Sequence, residues 1–474
     1  MIRSIRRSRW FRPTAMLLAI GMGVLSSAPP AAAFRRRTAR PRPLAVPAAP
    51  AVATPGETVS TSYGANGRTE STTDNRGTTS IGYITGTDIP SSITDPVTGT
   101  ISYTYGQGGE KATAVLPGGG TWSYHYRSGW FMSPKPDIDS TMPMLERIVD
   151  DQGREVKYWL DTRGGLHHAR QAITGGISTD TLYTFESNGN NVGRGRLLQV
   201  QTTKTVPTMM GPLTTVVHQN DYSYSASGER TANAISDQNG LVRTEQYGYD
   251  ELSRLTRVDY GDGQTQTYTF DPMGNRTGKT DSVNGNDAST FNAANMLLTK
   301  NGQGYTYDAN GNTLTGGGRT NSWDSANRLT QIVFNGTTTT HTYGSDGLRR
   351  RTVKGADTTD YILAGDSVIR TLQNGVLDKT YFHGLRGPEY ERTGAGNPTW
   401  YVYDGLGSVV GLLDVNGSLV STRKYDGYGS VRGGTGISGS KHKFVGSLGH
   451  PSEDDAGLIS KRARWITVTQ CLSG

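Results

Sequence analysis

A chain of 474 residues with 63 glycines, 24 tyrosines and only 34% hydrophobic content has too little apolar side chain for a thick core and too much glycine for a helical one. The net charge of +7 misleads: residues 1–43 hold ten arginines, and without them the 48 basic residues fall to 38 against 41 acidic ones, which leaves −3. That excludes a body clad in clustered Lys and Arg of the kind that grips nucleic acid, and the single cysteine, Cys471, excludes an intrachain disulfide framework.

Residues 1–33 read as a signal peptide. Arg3, Arg6, Arg7, Arg9 and Arg12 form a basic start, Met16–Leu25 a short apolar run, and Ala31-Ala32-Ala33 an Ala-x-Ala cleavage site. The Arg6-Arg7 pair resembles a twin-arginine signal only loosely, and a generic basic start accounts for it. The apolar run is too short to span a bilayer, and no later segment is long enough, so the expectation is export to an extracellular, periplasmic or cell-surface location with no stable membrane span. Residues 34–57 are rich in Pro, Ala and Arg without hydrophobic periodicity, and read as a disordered linker.

From about Thr58 one pattern recurs: an aromatic, any residue, a second aromatic, often Asp, then a turn with Gly or Asn and a returning alternating strand. Clear copies are Tyr247-Gly-Tyr249-Asp250-Glu-Leu-Ser-Arg254, Tyr268-Thr-Phe270-Asp271-Pro-Met-Gly274-Asn275 and Tyr305-Thr-Tyr307-Asp308-Ala-Asn-Gly311-Asn312. Weaker copies lie at Tyr103-Thr-Tyr105, Tyr124-His-Tyr126, Tyr183-Thr-Phe185 and Tyr222-Ser-Tyr224. The segments starting at Tyr403 and Tyr425 differ at only two of nine positions and lie 22 residues apart. Tyr381 to Tyr403 is again 22, Trp323 to Tyr343 is 20 and Tyr249 to Phe270 is 21, a period that marks a repeat architecture. Aromatics at i and i+2 face one side of a strand. Asp opens the turn by accepting backbone N–H groups, and Gly or Asn takes a positive φ. Each unit is a hairpin that is not stable alone, and hairpins stacked edge to edge make one coiling sheet. The expected fold is therefore all-β: a repeat-built, spiralling antiparallel hairpin sheet over residues 58–435.

These Tyr-x-Tyr-Asp-x-x-Gly-Arg/Asn units resemble the YD repeats of bacterial Rhs and related toxin-delivery proteins, which animal teneurins also carry. The segment Trp400-Tyr-Val-Tyr-Asp404-Gly-Leu-Gly407-Ser408, with Asp414, Asn416-Gly417 and Tyr425-Asp426-Gly-Tyr-Gly429, is similar to the end of the Rhs core. The resemblance covers most of residues 58–466 and implies a hollow β-shell that encloses a C-terminal toxin. The family's core closes on a Gly-Leu-x-Tyr-x-Arg-Ala-Arg-x-Tyr-Asp-Pro motif. Gly457, Leu458, Arg462, Ala463 and Arg464 match it, whereas Ser460, Ile466 and Thr467 replace its tyrosines and aspartate. Residues 436–466 therefore read as a degenerate core end and 467–474 as a divergent tail. The self-cleaving aspartates that the resemblance would imply have no counterpart, and the expectation is a C-terminally truncated chain, by a frameshift or as a natural short form.

Fragments that mimic catalytic motifs fail on spacing. Gly274-Asn-Arg-Thr-Gly278-Lys279-Thr280 has three residues between its glycines where a phosphate loop needs four. Gly405, Gly407 and Gly411 recur as Gly427, Gly429 and Gly433, and a nucleotide site is not doubled at a repeat period. Asp308, Asn310 and Asn312 begin like a calcium loop but lack its Gly and closing Glu. Gly365-Asp366-Ser367 has no His preceded at three residues by Asp. His167 and His168 point to opposite faces of a strand and cannot share an ion, and Glu453-Asp454-Asp455 reads as surface solvation. The expectation is no catalytic, cofactor-binding or metal residue, and no cofactor. The expected role is a non-catalytic secreted or cell-surface shell or scaffold without its own toxin, its partners a protein cargo, a cell-surface or glycan partner, or a second chain at an open sheet edge, and not a nucleic acid. The alternative is a surface adhesin or carbohydrate-binding repeat protein, which requires Tyr and Trp rings turned outward.

Overall fold

The computed structural model describes residues 59–467, except 75, 128–143, 161–164, 187–194, 395, 437–438, 450, 454–457 and 462–463. Residues 1–58 and 468–474, which carry the expected signal peptide, linker and most of the tail, lie outside the described residues. The all-β expectation holds. From Ser60 to Gly304 the chain makes a 21-stranded antiparallel sheet, from Thr306 to Thr435 a 14-stranded one, and from Ser452 to Thr467 a small three-stranded one. Within each sheet every strand pairs with the next in sequence. The first two sheets nearly join: Tyr305 N–H donates to the Leu298 carbonyl at 2.9 Å and Tyr307 Oη to that of Leu297 at 2.8 Å. No α-helix occurs among the described residues.

The turns explain the repeat signature. In Asp308–Asn312 one carboxylate oxygen accepts the amides of Asn310 and Asn312 at 2.9 and 2.8 Å, and the other accepts Asn312 Nδ2 at 2.8 Å. Asp250 does the same with Leu252, Arg254 and the Arg254 guanidinium. The third residue after Asp sits at positive φ (92° at Gly274 and 81° at Gly407), a conformation glycine adopts without Cβ strain. The residue after it also reaches onward. Arg254 Nη1 donates to the Asp271 carbonyl at 3.1 Å, and Asn275 Nδ2 to Asn295 Oδ1 at 3.0 Å. The turns are thus stitched to one another along a rim of the sheet.

The second aromatic closes the hairpin. The ladder shifts register at it, as between Gly248 and Tyr249 or Thr342 and Tyr343, so it sits beside a β-bulge rather than in a regular alternation. Its hydroxyl donates to the first carbonyl of a neighbouring strand: Tyr83 to Thr69, Tyr105 to Pro90 and Tyr343 to Leu329 at 2.7 Å, and Tyr425 to Val409 at 2.6 Å. Tyr343→Phe removes that buried hydrogen bond and should cost about 1–2 kcal/mol in urea unfolding. A change below about 0.3 kcal/mol would show that the latch is ornamental.

The two faces of the sheet differ. One carries threonine pairs across neighbouring strands, such as Thr73–Thr78, Thr94–Thr100 and Thr290–Thr299, each 2.8 Å apart and exposed. The other buries the aromatics. The largest core cluster joins Ile101, Trp122, Ile148, Val156 and Tyr158 of the first sheet to Ile369, Phe382, Tyr390, Trp400 and Leu413 of the second. The second sheet thus packs on the inner face of the first. Strands Gly387–Thr393 and Pro398–Tyr403 are buried on both faces, because residues 440–448 lie across their other side. Tyr63 is the one aromatic among the exposed large apolar residues described.

Candidate functional site

The chemistry-bearing side chains concentrate where the second sheet meets the first. Strand Gly387–Thr393 reads Gly-Pro-Glu-Tyr-Glu-Arg-Thr, and a register shift opposite Phe382 and His383 skips Glu389. The bulge turns its carboxylate onto the face of Tyr390. There Glu389 accepts Tyr158 Oη at 2.8 Å, Gln171 Nε2 at 3.3 Å and Arg386 Nε at 2.9 Å. Arg386 Nη1 continues to Thr181 Oγ1 at 2.9 Å. Glu389 and Arg386 are 0% and 5% exposed. Burial alone would pull the Arg386 guanidinium down, but the adjoining Glu389 carboxylate holds its pKa above the ordinary value. Burial, reinforced by the Glu389 charge, pushes the Tyr158 phenol well up. Beside this pair, Tyr390 Oη donates to Asp150, and Arg392 Nη2 reaches Asp151 at 2.7 Å.

The opposite face of the same strand holds a second polar group. Lys379 Nζ lies 2.8 Å from Glu391 Oε1, and Tyr401 Oη donates to Glu391 and stands 3.1 Å from Ser440 Oγ and 3.2 Å from His442 Nδ1. Burial works to raise the Glu391 pKa, yet Lys379 holds it below the ordinary carboxylate value. Serine, histidine and glutamate meet here around a tyrosine, all buried. The arrangement locks residues 440–442 onto the sheet, and it offers a substrate no open face.

The motif-like fragments are dispersed. Arg276–Asp281 is a strand that follows an Asp271 turn, and the Asp308 set is the Asx turn described above. Ser367 follows a hairpin turn, its Oγ 3.4 Å from Asp366 Oδ1. His168 stacks on Trp159, with Nε2 2.6 Å from Asp180 Oδ1, while His167 is exposed on the other face. Gly405 N–H donates to Tyr222 Oη at 2.7 Å and Gly427 N–H to Tyr260 Oη at 2.9 Å, so both glycine turns dock on the first sheet. Asp454 and Asp455 lie outside the described residues, as does the side chain of Glu453. Among the described residues no three His, Cys, Asp or Glu side chains gather as a metal would require, and no helix is long and apolar enough to cross a membrane.

Docking has an electrostatic consequence at Asp404. Its carboxylate accepts the amides of Leu406 and Ser408 at 2.9 and 2.8 Å. Burial outweighs these bonds and the Arg230 charge and pushes its pKa up to about 6. A carboxyl whose folded pKa exceeds its unfolded one opposes folding when ionised, so this group's penalty is lifted as pH falls through about 6. Asp404→Asn keeps the turn acceptor without the charge. Wild type should gain stability relative to this variant between pH 7 and pH 5 in thermal melts, and parallel curves would contradict the assignment.

Comparisons with known proteins follow the same lines. Residues 214–438 match the Teneurin YD-shell family. The chain is 28% identical over 229 residues to the tRNA3(Ser)-specific nuclease WapA of Bacillus spizizenii and to the tRNA nuclease WapA of Bacillus subtilis, in each case over 46% of this chain and 10% of the relative. It therefore spans about a tenth of the length of the curated relatives it matches. Among solved structures, TcdB2-TccC3-TEV superposes with a TM-score of 0.51 at 15% identity, over 86% of this chain and 26% of the other. At that identity the likeness shows the fold alone. The repeats, the meander of hairpins and the family match agree that residues 214–438 are built as a YD-repeat shell.

Proposed function

We propose that the chain is a non-catalytic shell or scaffold of the toxin-delivery type, exported by residues 1–33, tethered by residues 34–57, built by the hairpins of 58–435 and finished by 436–466. The observation that carries this reading is the docking of the second sheet inside the first, with buried partner-bound polar groups at the seam and the aromatics turned inward. A sheet with threonine pairs outside and its aromatics inside suits enclosure of a polypeptide. Inward rings speak against the adhesin reading, which needs them on the surface. The nuclease names of the WapA relatives belong to proteins ten times longer than the match, and the groups that meet here are not exposed to an RNA chain.

The test appends a protease-sensitive reporter after Gly474 and treats the secreted protein with trypsin. The reporter should outlast the same reporter free in solution by at least tenfold, and tRNA incubated with the chain should stay intact. Equal digestion rates would overturn enclosure, and tRNA cleavage that co-purifies with the chain would overturn the non-catalytic reading. The N-terminus of the exported protein should be Phe34.

A further inference from the structure

Three neighbouring strands, Ser367–Gln373, Val376–Gly384 and Gly387–Thr393, bring Arg370, Thr380 and Arg392 into one row: Arg370 is opposite Thr380, and Thr380 is opposite Arg392. Their exposures are 4%, 0% and 4%. Arg370 Nε, Thr380 Oγ1, Arg392 Nε and Arg392 Nη1 have no hydrogen-bond partner among the described residues. A buried donor left unpaired costs about 1–3 kcal/mol, and here four of them, on three side chains of adjacent strands, line up in one row.

The first sheet covers the row with a hairpin tip, Pro117-Gly118-Gly119-Gly120. Arg370 Nη1 donates to the Pro117 carbonyl, and a Cβ at Gly118 would lie 3.8 Å from that nitrogen. The charged group that answers the two guanidiniums is Asp151, 2.7 Å from Arg392 Nη2. Its neighbour Asp150 is taken by Arg154 at 2.8 Å and by Tyr390. Two fixed positive charges against one carboxylate, with donors in excess of acceptors, make a buried region of positive potential.

We propose that Arg370, Thr380 and Arg392 form a buried site for one small monovalent anion of halide size, which completes the seam between the two sheets. Only a small, weakly hydrated anion suits a site so enclosed. It would accept from the guanidiniums and the hydroxyl together, and its charge would balance the second arginine.

The test uses the full exported chain. Thermal midpoints are measured in sodium chloride and in sodium gluconate at equal ionic strength, for wild type and for Thr380→Val, which keeps the side-chain volume and removes one donor. The wild-type midpoint should rise saturably with chloride over gluconate, and Thr380→Val should need at least a fivefold higher chloride concentration for the same response. Crystals grown with bromide should show an anomalous peak within hydrogen-bond reach of Arg392 Nε and Thr380 Oγ1. Equal midpoints in the two salts, or a peak at this position that bromide does not enhance, would mean water and overturn the proposal. A chloride response unchanged in Thr380→Val would place the anion elsewhere and overturn it too.

Discussion

Glu389→Ala should destabilise the shell by about 3–5 kcal/mol, the loss expected when one partner of a buried ion pair is removed and the other stays behind. The Arg386 guanidinium would remain at 5% exposure without its carboxylate. Tyr158 would lose its acceptor in the same step, and Gln171 would keep only the Glu389 backbone carbonyl at 3.4 Å. Two donors of the first sheet and one of the second converge on this side chain, so the damage falls on the docking of the sheets as well as on one strand. Denaturant unfolding at pH 7 measures it. Arg386→Met together with Glu389→Leu, which removes both charges and fills the volume, should recover most of the loss. A Glu389→Ala protein within about 1 kcal/mol of wild type would mean that the pair is open to water and the sheets are not closed on it.

Trp122→Ala carries the second large effect, about 3–5 kcal/mol. Trp122 is 2% exposed, and its ring meets Phe382 of the second sheet edge-on at 5.2 Å. Phe382 stacks on Tyr390 at 5.0 Å, and Tyr390 meets Trp400 at 4.7 Å. Truncation at the start of this row leaves a cavity between two sheets that the chain connects only through many intervening hairpins, so partial collapse should not heal it. The unfolding midpoint should fall and the slope with denaturant stay constant. A cost below about 1.5 kcal/mol would show that the row does not bridge the sheets.

The fold was legible where its cause is local. Asp271, Gly274 and Asn275 announce a turn because the carboxylate, the positive φ and the amide cap all lie within five residues. The spacing of 22 residues between Tyr403 and Tyr425 announces stacking, because successive hairpins must pair their edges. The shared face of aromatics at i and i+2 was only half legible. A bulge at each second aromatic, seen at Tyr249 and Tyr343, gives that ring the task of latching a carbonyl.

The seam was not legible at all. Glu389 reaches Tyr158 because of a bulge that no alternation of residue types reveals, and the two residues are 231 positions apart. One clue lay in the open. Pro388-Glu-Tyr-Glu-Arg392 places three charged residues in a run among aromatic strands, and charges buried in such a run need partners from elsewhere. Residues 440–448 gave a different lesson. The sequence marks 436–466 only as a degenerate core end, and nothing in it announces that Ser440 and His442 reach Tyr401 on the seam's far side.

The central claim is that strand Glu155–Leu160 and strand Gly387–Thr393 meet face to face, and a double-mutant cycle on Tyr158 and Glu389 tests it most directly. Tyr158→Phe, Glu389→Ala and the double variant are unfolded in urea under one set of conditions. Contact predicts a coupling energy of about 1 kcal/mol or more, since the Tyr158–Glu389 hydrogen bond is lost in either single variant. Additivity within about 0.3 kcal/mol would contradict the contact, and with it the closure of the second sheet inside the first.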